Sequence, residues 1–433
     1  MKLYNLKDIK EQVNFSQAVK RGLGRKQGLF FPETIPRISK KKIKKLINET
    51  FITRSQKILS IFIGSEIEKS IINKSIQKAF SFPGPKISYI TKKILCCELF
   101  HGPTLAFKDY GARFMAQILS LLNAEKKSIT ILTATSGDTG AAVAHAFYKM
   151  KNIRVVVLYP KGKISKIQRK LFCTLGHNIT TIAVDGSFDE CQKLVKKAFN
   201  DIEIKKYTQL NSANSINISR LLAQICYFFE IFHLIPESIH NKIIISVPCG
   251  NFGNLTAGLI AKSMGLPVKK FILSTNSNNT VPRYLKTGIW NPYKTISTMS
   301  NAMDISRPNN WPRVQKILQK EQWKINKHLE YGSVSEESTK KNIKELFKKF
   351  NYISEPHASV AYTLLKKSIN KKDLYGIFLG TAHPIKFQET VEKILQIKLQ
   401  KPQVISKIIH LKELSYNIKP NFNTLKKILI NHQ

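Results

Sequence analysis

A single lysine, Lys108, stands among apolar and small residues in the block 101–111, HGPTLAFKDYG. A lysine that is to attack a carbonyl must shed its proton near neutral pH, and desolvation with nearby positive charge promotes that loss. An ordinary lysine at the start of a helix over 112–122 would read the same way. A second block, 133–140 (TATSGDTG), joins an expected strand to an expected helix. Its Thr135, Ser136, Gly137, Asp138 and Thr139 are small or hydroxyl-bearing, and they would leave backbone N–H groups open at a helix N-terminus. Such a terminus holds a carboxylate or a phosphate. A plain turn capped by Asp138 or Thr139 is the alternative.

The third block, 247–254 (VPCGNFGN), has the same strand-to-helix setting. Gly250, Asn251, Phe252, Gly253 and Asn254 would offer their amides to one phosphate, or form a glycine turn and nothing more. No Gly-Lys-Ser/Thr follows, and the glycine spacing is not that of a dinucleotide fingerprint. In the fourth block, 379–387 (LGTAHPIKF), Thr381 is expected to face the same crevice, while His383 and Lys386 read as satisfied residues of a helix start. One lysine, one anion-binding turn and one separate phosphate cradle together suggest a phosphorylated aldehyde cofactor. Neither a metal-ligand pattern nor a G-x-S-x-G elbow is present, which argues against a catalytic metal or a serine hydrolase.

These blocks need a frame. Short β-branched runs at 128–134, 153–159, 179–184, 242–247, 271–274 and 375–379 alternate with helical patterns at 140–148, 166–175 and 188–199. Ser187 and Glu190 form a capping box before the last of these helices. The alternation predicts an α/β fold of mostly parallel sheets flanked by helices, with sites at the C-terminal ends of strands. Three regions are expected: an N-terminal domain over 1–95, an α/β domain carrying the lysine over 96–240, and a second α/β domain with the phosphate loop over 241–433. The chain has room to cross between domains more than once.

At 433 residues and 42% hydrophobic composition the chain can build more than one core. Its 70 Lys+Arg against 28 Asp+Glu give a formal net charge of +42. The lysines crowd 39–57, 193–206 and 340–349, whereas 130–147 carries only Asp138 as a charged residue and 208–232 only Arg220 and Glu230. That distribution describes a basic surface over apolar cores, and no specific nucleic-acid partner is expected. Six scattered cysteines without a C-x-x-C pair read as reduced, buried thiols. No apolar run reaches membrane-spanning length and no secretory signal opens the chain, so a cytoplasmic protein is expected, monomeric or homodimeric.

The ordered set LFHGPTLAFKD, ILTATSGDTGAA, LNSANSINISRLLAQ, GNFGN, SNAMDISRPNNWPR, SEPHASVAY and GTAHPIKF resembles the threonine synthase family. That family lies among the fold-type II pyridoxal-phosphate enzymes related to the tryptophan synthase β-subunit. The resemblance runs over nearly the whole chain and implies fold-type II architecture with an added N-terminal domain. It implies pyridoxal 5'-phosphate held covalently by Lys108, its phosphate on residues 250–254, and Thr381 at the pyridine nitrogen. Thr135, Ser136, Gly137, Asp138 and Thr139 would hold the substrate α-carboxylate or the ring edge. Asn214, Ser215, Asn217 and Arg220 would take the substrate phosphate, with Asn301, Asp304, Ser306 and Asn310 as further candidates.

The activity so implied is that of a carbon–oxygen lyase of amino-acid biosynthesis. It turns O-phospho-L-homoserine and water into L-threonine and phosphate by β,γ-replacement. Cys249, where Ser or Thr is usual, and Asn254, where Asp is common, depart from the family pattern, and the backbone cradle is expected to survive both. Relatives of threonine dehydratase or cysteine synthase share the lysine and the glycine loop but not residues 22–32 (GLGRKQGLFFP) or SNAMDISRPNNWPR. A non-catalytic binding member of the family would have no need of Lys108 and Thr381.

Overall fold

Branched side chains pack well on a pleated surface, and the β-branched runs become strands that are buried almost throughout. The computed structural model describes residues 1–123, 128–369 and 373–431. Its strands in chain order are β1 (Leu3–Asn5), β2 (Asp8–Val13), β3 (Phe30–Pro32), β4 (Lys86–Tyr89), β5 (Ile94–Glu98), β6 (Ile129–Ala134) and β7 (Ile153–Pro160). There follow β8 (Ile179–Val184), β9 (Gln209–Asn211), β10 (Ile243–Pro248), β11 (Lys270–Thr275), β12 (Leu329–Ser333), β13 (Tyr375–Gly380) and β14 (Ser415–Ile418). Each strand expected from the sequence forms, to within a residue at either end.

Two sheets carry the site. One has the order β14-β8-β7-β6-β9 and is parallel throughout. The other runs β12-β11-β10-β13-β5-β4, parallel except for β4 against β5. A small antiparallel sheet, β2-β1-β3, lies at the N-terminus. Each large sheet draws on separated stretches of chain: β4 and β5 pair beside β13, and β14 returns from the far C-terminus to β8.

In both sheets the order reverses at one strand. From β6 the chain builds outward through β7 and β8, then places β9 on the other side of β6. From β10 it builds through β11 and β12, then places β13 on the other side of β10. Crevices at the C-terminal ends of such strands are where open α/β sheets bind ligands. The blocks 133–140 and 247–254 leave β6 and β10 at these two points.

The helix Ile218–Leu234 is buried on every face over residues 218–232 and packs against the helices Lys108–Leu122, Gly253–Ser263 and Phe51–Ile63. It thereby joins the N-terminal region to both sheets, and the buried ion pair Arg54–Glu230 (2.9 Å) fixes one contact. Among the described residues no helix is long and apolar enough to cross a membrane. All six cysteines are buried and unpaired, as expected of reduced thiols.

Candidate functional site

Lys108 is the first residue of the helix Lys108–Leu122, so the helix starts earlier than the sequence pattern indicated. The turn before it is stitched to the end of β13: Phe107 N–H donates to Thr381 O (2.9 Å), and His383 N–H donates to Leu105 O (3.0 Å). Asp109, nearly inaccessible, accepts from Thr104 N–H (2.9 Å) and Thr104 Oγ1 (2.6 Å), which braces the same turn. Backbone pairing therefore puts Lys108 and Thr381 side by side although 272 residues separate them. Burial is the main cause that lowers the Lys108 pKa to about 8; Asp138 pulls it upward, and Arg220 and Lys386 push it down.

The turn after β6 is organised by Thr135, whose Oγ1 accepts from Gly137 N–H (2.9 Å) and Gly140 N–H (2.8 Å). Neither Asp138 nor Thr139 caps the helix Asp138–Phe147; the cap residue is Gly137, with φ of 129° and no side-chain bond. The Asp138 carboxylate points elsewhere, to Lys386 Nζ (2.9 Å) and Gln168 Nε2 (3.0 Å). Burial alone would raise its pKa, but Lys386, Lys108 and His357 hold it well below the usual carboxylate range. Lys386 is thus not the plain helix-start residue expected: it is fully buried, and its ammonium also reaches Thr104 O at 2.7 Å. His383 does behave as expected, accepting from Ile385 N–H at 3.1 Å to cap its turn.

After β10, Phe252 adopts a left-handed conformation (φ 63°) and the helix Gly253–Ser263 begins. The amides of residues 250–254 donate to no other part of the protein among the described residues. A side chain at Gly250 would place its Cβ 2.8 Å from Ala302 O and from Met303 Cα, so only glycine fits this close approach. Asn254 accepts from Tyr227 Oη–H (2.7 Å) through its side-chain oxygen, and its buried Nδ2 has no partner among the described residues. Cys249 gives its thiol to Val247 O (3.1 Å) rather than to the turn.

One cleft collects these pieces. Lys108, Thr135, Ser136, Asp138, Thr139, Asn214, Ser215, Arg220, residues 250–254 and Thr381 all line it. Arg220 is 2% exposed, donates through Nη1 to Ala213 O, leaves a buried Nε without a partner among the described residues, and is lowered by burial to a pKa of about 10. Gly137 and Asn217 do not line the cleft. Asn217 caps the helix Ile218–Leu234 through Ser219 N–H (3.1 Å) and donates to Val19 O (3.0 Å).

The weaker candidates also stand back from the cleft. Asp304 takes the side chains of Thr298, Asn276 and Asn278 at 2.7, 2.9 and 3.1 Å. Ser306 accepts from Thr295 (3.0 Å), and Asn301 keeps a buried Oδ1 without a partner among the described residues. Asn310 donates to Ser215 O (3.3 Å) and Asn251 O (3.0 Å), so it ties two cleft loops together.

Sequence reasoning gave no role to the buried pair Glu355 and His357. His357 lines the cleft, its Nδ1 lies 2.5 Å from Glu355 Oε2, and its Nε2 accepts from Ala302 N–H at 3.2 Å. Glu355 Oε1 accepts from Thr381 Oγ1 at 3.5 Å and from Ala358 N–H at 2.8 Å. A proline after Glu355 does mark the start of the helix Pro356–Ile369, but nothing local distinguishes this start from others. Phe188, Gln192, Gln224, Met303 and Ile305 also line it and were not foreseen either.

A partly neutral amine, an amide cradle with room for no Cβ, and a hydroxyl backed by a carboxylate fit a phosphorylated aromatic aldehyde. Comparison with known proteins agrees with that chemistry. The chain matches the families described as "Pyridoxal-phosphate dependent enzyme" over residues 86–376, "Threonine synthase N terminus" over 5–80 and "Threonine synthase, C-terminal" over 358–429. It is 64% identical over 431 residues to the threonine synthase of Buchnera aphidicola subsp. Baizongia pistaciae (strain Bp), covering 99% of this chain and 100% of the relative. The crystal structure of threonine synthase from Escherichia coli superposes with a TM-score of 0.95 at 55% identity, covering 100% of each chain. A pyridoxal-phosphate-bound threonine synthase structure from Brucella melitensis gives 0.91 at 28% identity, covering 100% of this chain and 99% of that one. With three family matches in chain order and full-length similarity, the chain belongs to the threonine synthase family of pyridoxal-phosphate-dependent enzymes.

Proposed function

We propose that the chain converts O-phospho-L-homoserine and water into L-threonine and phosphate, with pyridoxal 5'-phosphate carried by Lys108. The observation that carries this reading is the meeting of Lys108 and the residue 250–254 turn in one cleft within a full-length member of the family. When bound, the cofactor supplies an aldehyde that condenses with amines and a ring that absorbs electrons released at carbon.

The rest falls to the protein. The amides of residues 250–254 hold the cofactor phosphate at a helix N-terminus. Thr381 meets the ring nitrogen as a neutral hydroxyl, oriented by Glu355. Lys108 Nζ, as a free amine, would take the proton from the substrate α-carbon, a role suited to a lysine whose pKa burial lowers to about 8. Ser136 and Thr139, with the open amides of their turn, hold the α-carboxylate; Asp138 is committed to Lys386 and Gln168 and orients that turn. Arg220, Asn214 and Ser215 receive the substrate phosphate, where a buried guanidinium with no carboxylate partner among the described residues offers its full charge to an anion. The protein is proposed to work in the cytoplasm, as a monomer or homodimer.

Visible absorbance before and after addition of O-phospho-L-homoserine, with Lys108→Ala alongside, tests the reading. The expected result is a yellow protein whose band shifts with substrate and which releases phosphate, both lost in the variant. A colourless protein that takes up no cofactor would overturn it.

A further inference from the structure

Lys386 is a buried cation that the reaction itself does not use. It lies in the short turn Pro384–Phe387 just beyond Thr381, and its side chain is 0% exposed. Its ammonium donates to Thr104 O (2.7 Å) and pairs with Asp138 Oδ1 (2.9 Å), while its carbonyl accepts from Ser165 Oγ (2.7 Å). One side chain thus joins the loop before Lys108, the turn after β6 and the end of β13. Taking an ammonium and a carboxylate out of water costs several kcal/mol each, so a buried pair is a poor choice for stability alone.

The need for it comes from Asp138. An ionised carboxylate beside Lys108 favours the ammonium form, which can neither attack a carbonyl nor accept a proton. We propose that Lys386 is a positioning residue for Lys108: by taking the Asp138 carboxylate as its own partner, it lets Asp138 orient the turn without holding a proton on the Lys108 amine. This rests on Lys108 being the cofactor's anchor.

The titratable groups facing Lys108 are Asp138, Arg220 and Lys386, and those facing Asp138 are Lys386, Lys108 and His357. Lys386 also faces Asp109, which is engaged by Thr104, and the histidines His145 and His383. Burial lowers both histidines to about 4, so they stay neutral through the range in which Lys108 titrates.

The test is competitive acetylation of the cofactor-free full chain with trace acetic anhydride over about two pH units either side of the Lys108 midpoint. Peptide mass spectrometry reads the midpoint at Lys108 itself. The wild-type midpoint is expected near 8. Lys386→Met should raise it by about one unit or more, a tenfold loss of reactive amine per unit below the midpoint. Lys386→Arg should leave it in place, and Asp138→Asn should lower it. The double variant Asp138→Asn with Lys386→Met should return toward wild type, a rescue that loss of packing would not produce.

An unmoved midpoint in Lys386→Met, or a double variant that stays with it, would overturn the proposal. If Lys386→Met does not fold, Asp138→Asn and Lys386→Arg still decide: a midpoint that fails to fall in the first or moves in the second defeats it. Borohydride reduction after incubation with pyridoxal phosphate reads the parent reading separately, since its failure shows as no adduct on Lys108 while the acetylation midpoints remain measurable.

Discussion

Arg220 and Lys108 are both buried cations in the cleft, yet the protein treats them differently. Lys108 is brought toward neutrality, whereas Arg220, lowered only to about 10, keeps its charge at any physiological pH. Its Nη1 is used on the Ala213 carbonyl and the residue lines the cleft, so the remainder of the planar fork is left for a ligand. A charge-assisted hydrogen bond to a buried group contributes about 1.5–3 kcal/mol, or a factor of about 10 to 150 in affinity. Arg220→Lys retains the charge and loses the fork. It is expected to raise KM for O-phospho-L-homoserine about tenfold or more, while the cofactor absorbance and its affinity stay near wild type. Steady-state kinetics with a parallel cofactor titration separates the two, and a variant with unchanged KM would remove Arg220 from the substrate pocket.

A second element that ties the N-terminal region to the cleft, besides the helix Ile218–Leu234, is the helix Trp311–Lys320, through Arg313. This fully buried guanidinium donates to Phe30 O from Nε (3.2 Å) and Nη2 (2.7 Å), to Ile216 O (2.9 Å) and to Asn310 Oδ1 (2.8 Å). Asn310 in turn holds the loops of Ser215 and Asn251. Arg313→Met leaves buried carbonyls without donors, at about 1–3 kcal/mol each where water does not replace the lost partner. The expected outcome is a loss of about 2–4 kcal/mol in urea unfolding, with faster proteolysis near residues 22–32 and weaker binding of both cofactor and substrate. Loss of stability with both affinities intact would show that the tie does not reach the cleft. None of this was visible in the sequence, where Arg313 is one basic residue among many. The strands were legible because both faces are buried and the β-branched runs record it. The Ser187–Glu190 capping box was legible because its bonds are local, Glu190 N–H to Ser187 Oγ (3.2 Å) and Ser187 N–H to Glu190 Oε2 (2.6 Å). Lys386 and Arg313 were not, since each acts mainly through partners from distant stretches of chain; Glu355 and His357 were not, because the local bonds that Glu355 accepts from His357 N–H and Ala358 N–H say nothing of Thr381 and Ala302, which only the fold brings to the pair. Gly137 shows the intermediate case: its block was recognised, but whether the glycine or its neighbour caps the helix depended on where Lys386 and Gln168 draw Asp138.

Over the whole molecule the net charge of +42 means that carboxylates are too few to pair the lysines. Helix surfaces such as Lys40–Ile47 carry runs of lysine with no acid in the helix. Like charges held closer together in the folded chain than in the unfolded one oppose folding, and salt relieves that repulsion once the screening length falls to about 10 Å near 0.1 M. The same positive field draws a phosphorylated, anionic substrate toward the cleft, and salt weakens that attraction too. Raising NaCl from about 20 to about 200 mM is therefore expected to increase the thermal midpoint while lowering kcat/KM for O-phospho-L-homoserine. The fall should reside mainly in KM, because the chemistry inside the cleft is shielded from bulk ions and depends on local pairs such as Lys386–Asp138. Thermal unfolding and initial rates on one preparation, with an uncharged osmolyte as control, measure both. A thermal midpoint that falls with salt would mean that the surface ion pairs outweigh the repulsion among unpaired lysines. A kcat/KM indifferent to salt would mean that the substrate feels only the buried charges of Arg220, Lys108 and Lys386, and that the basic surface takes no part in its capture.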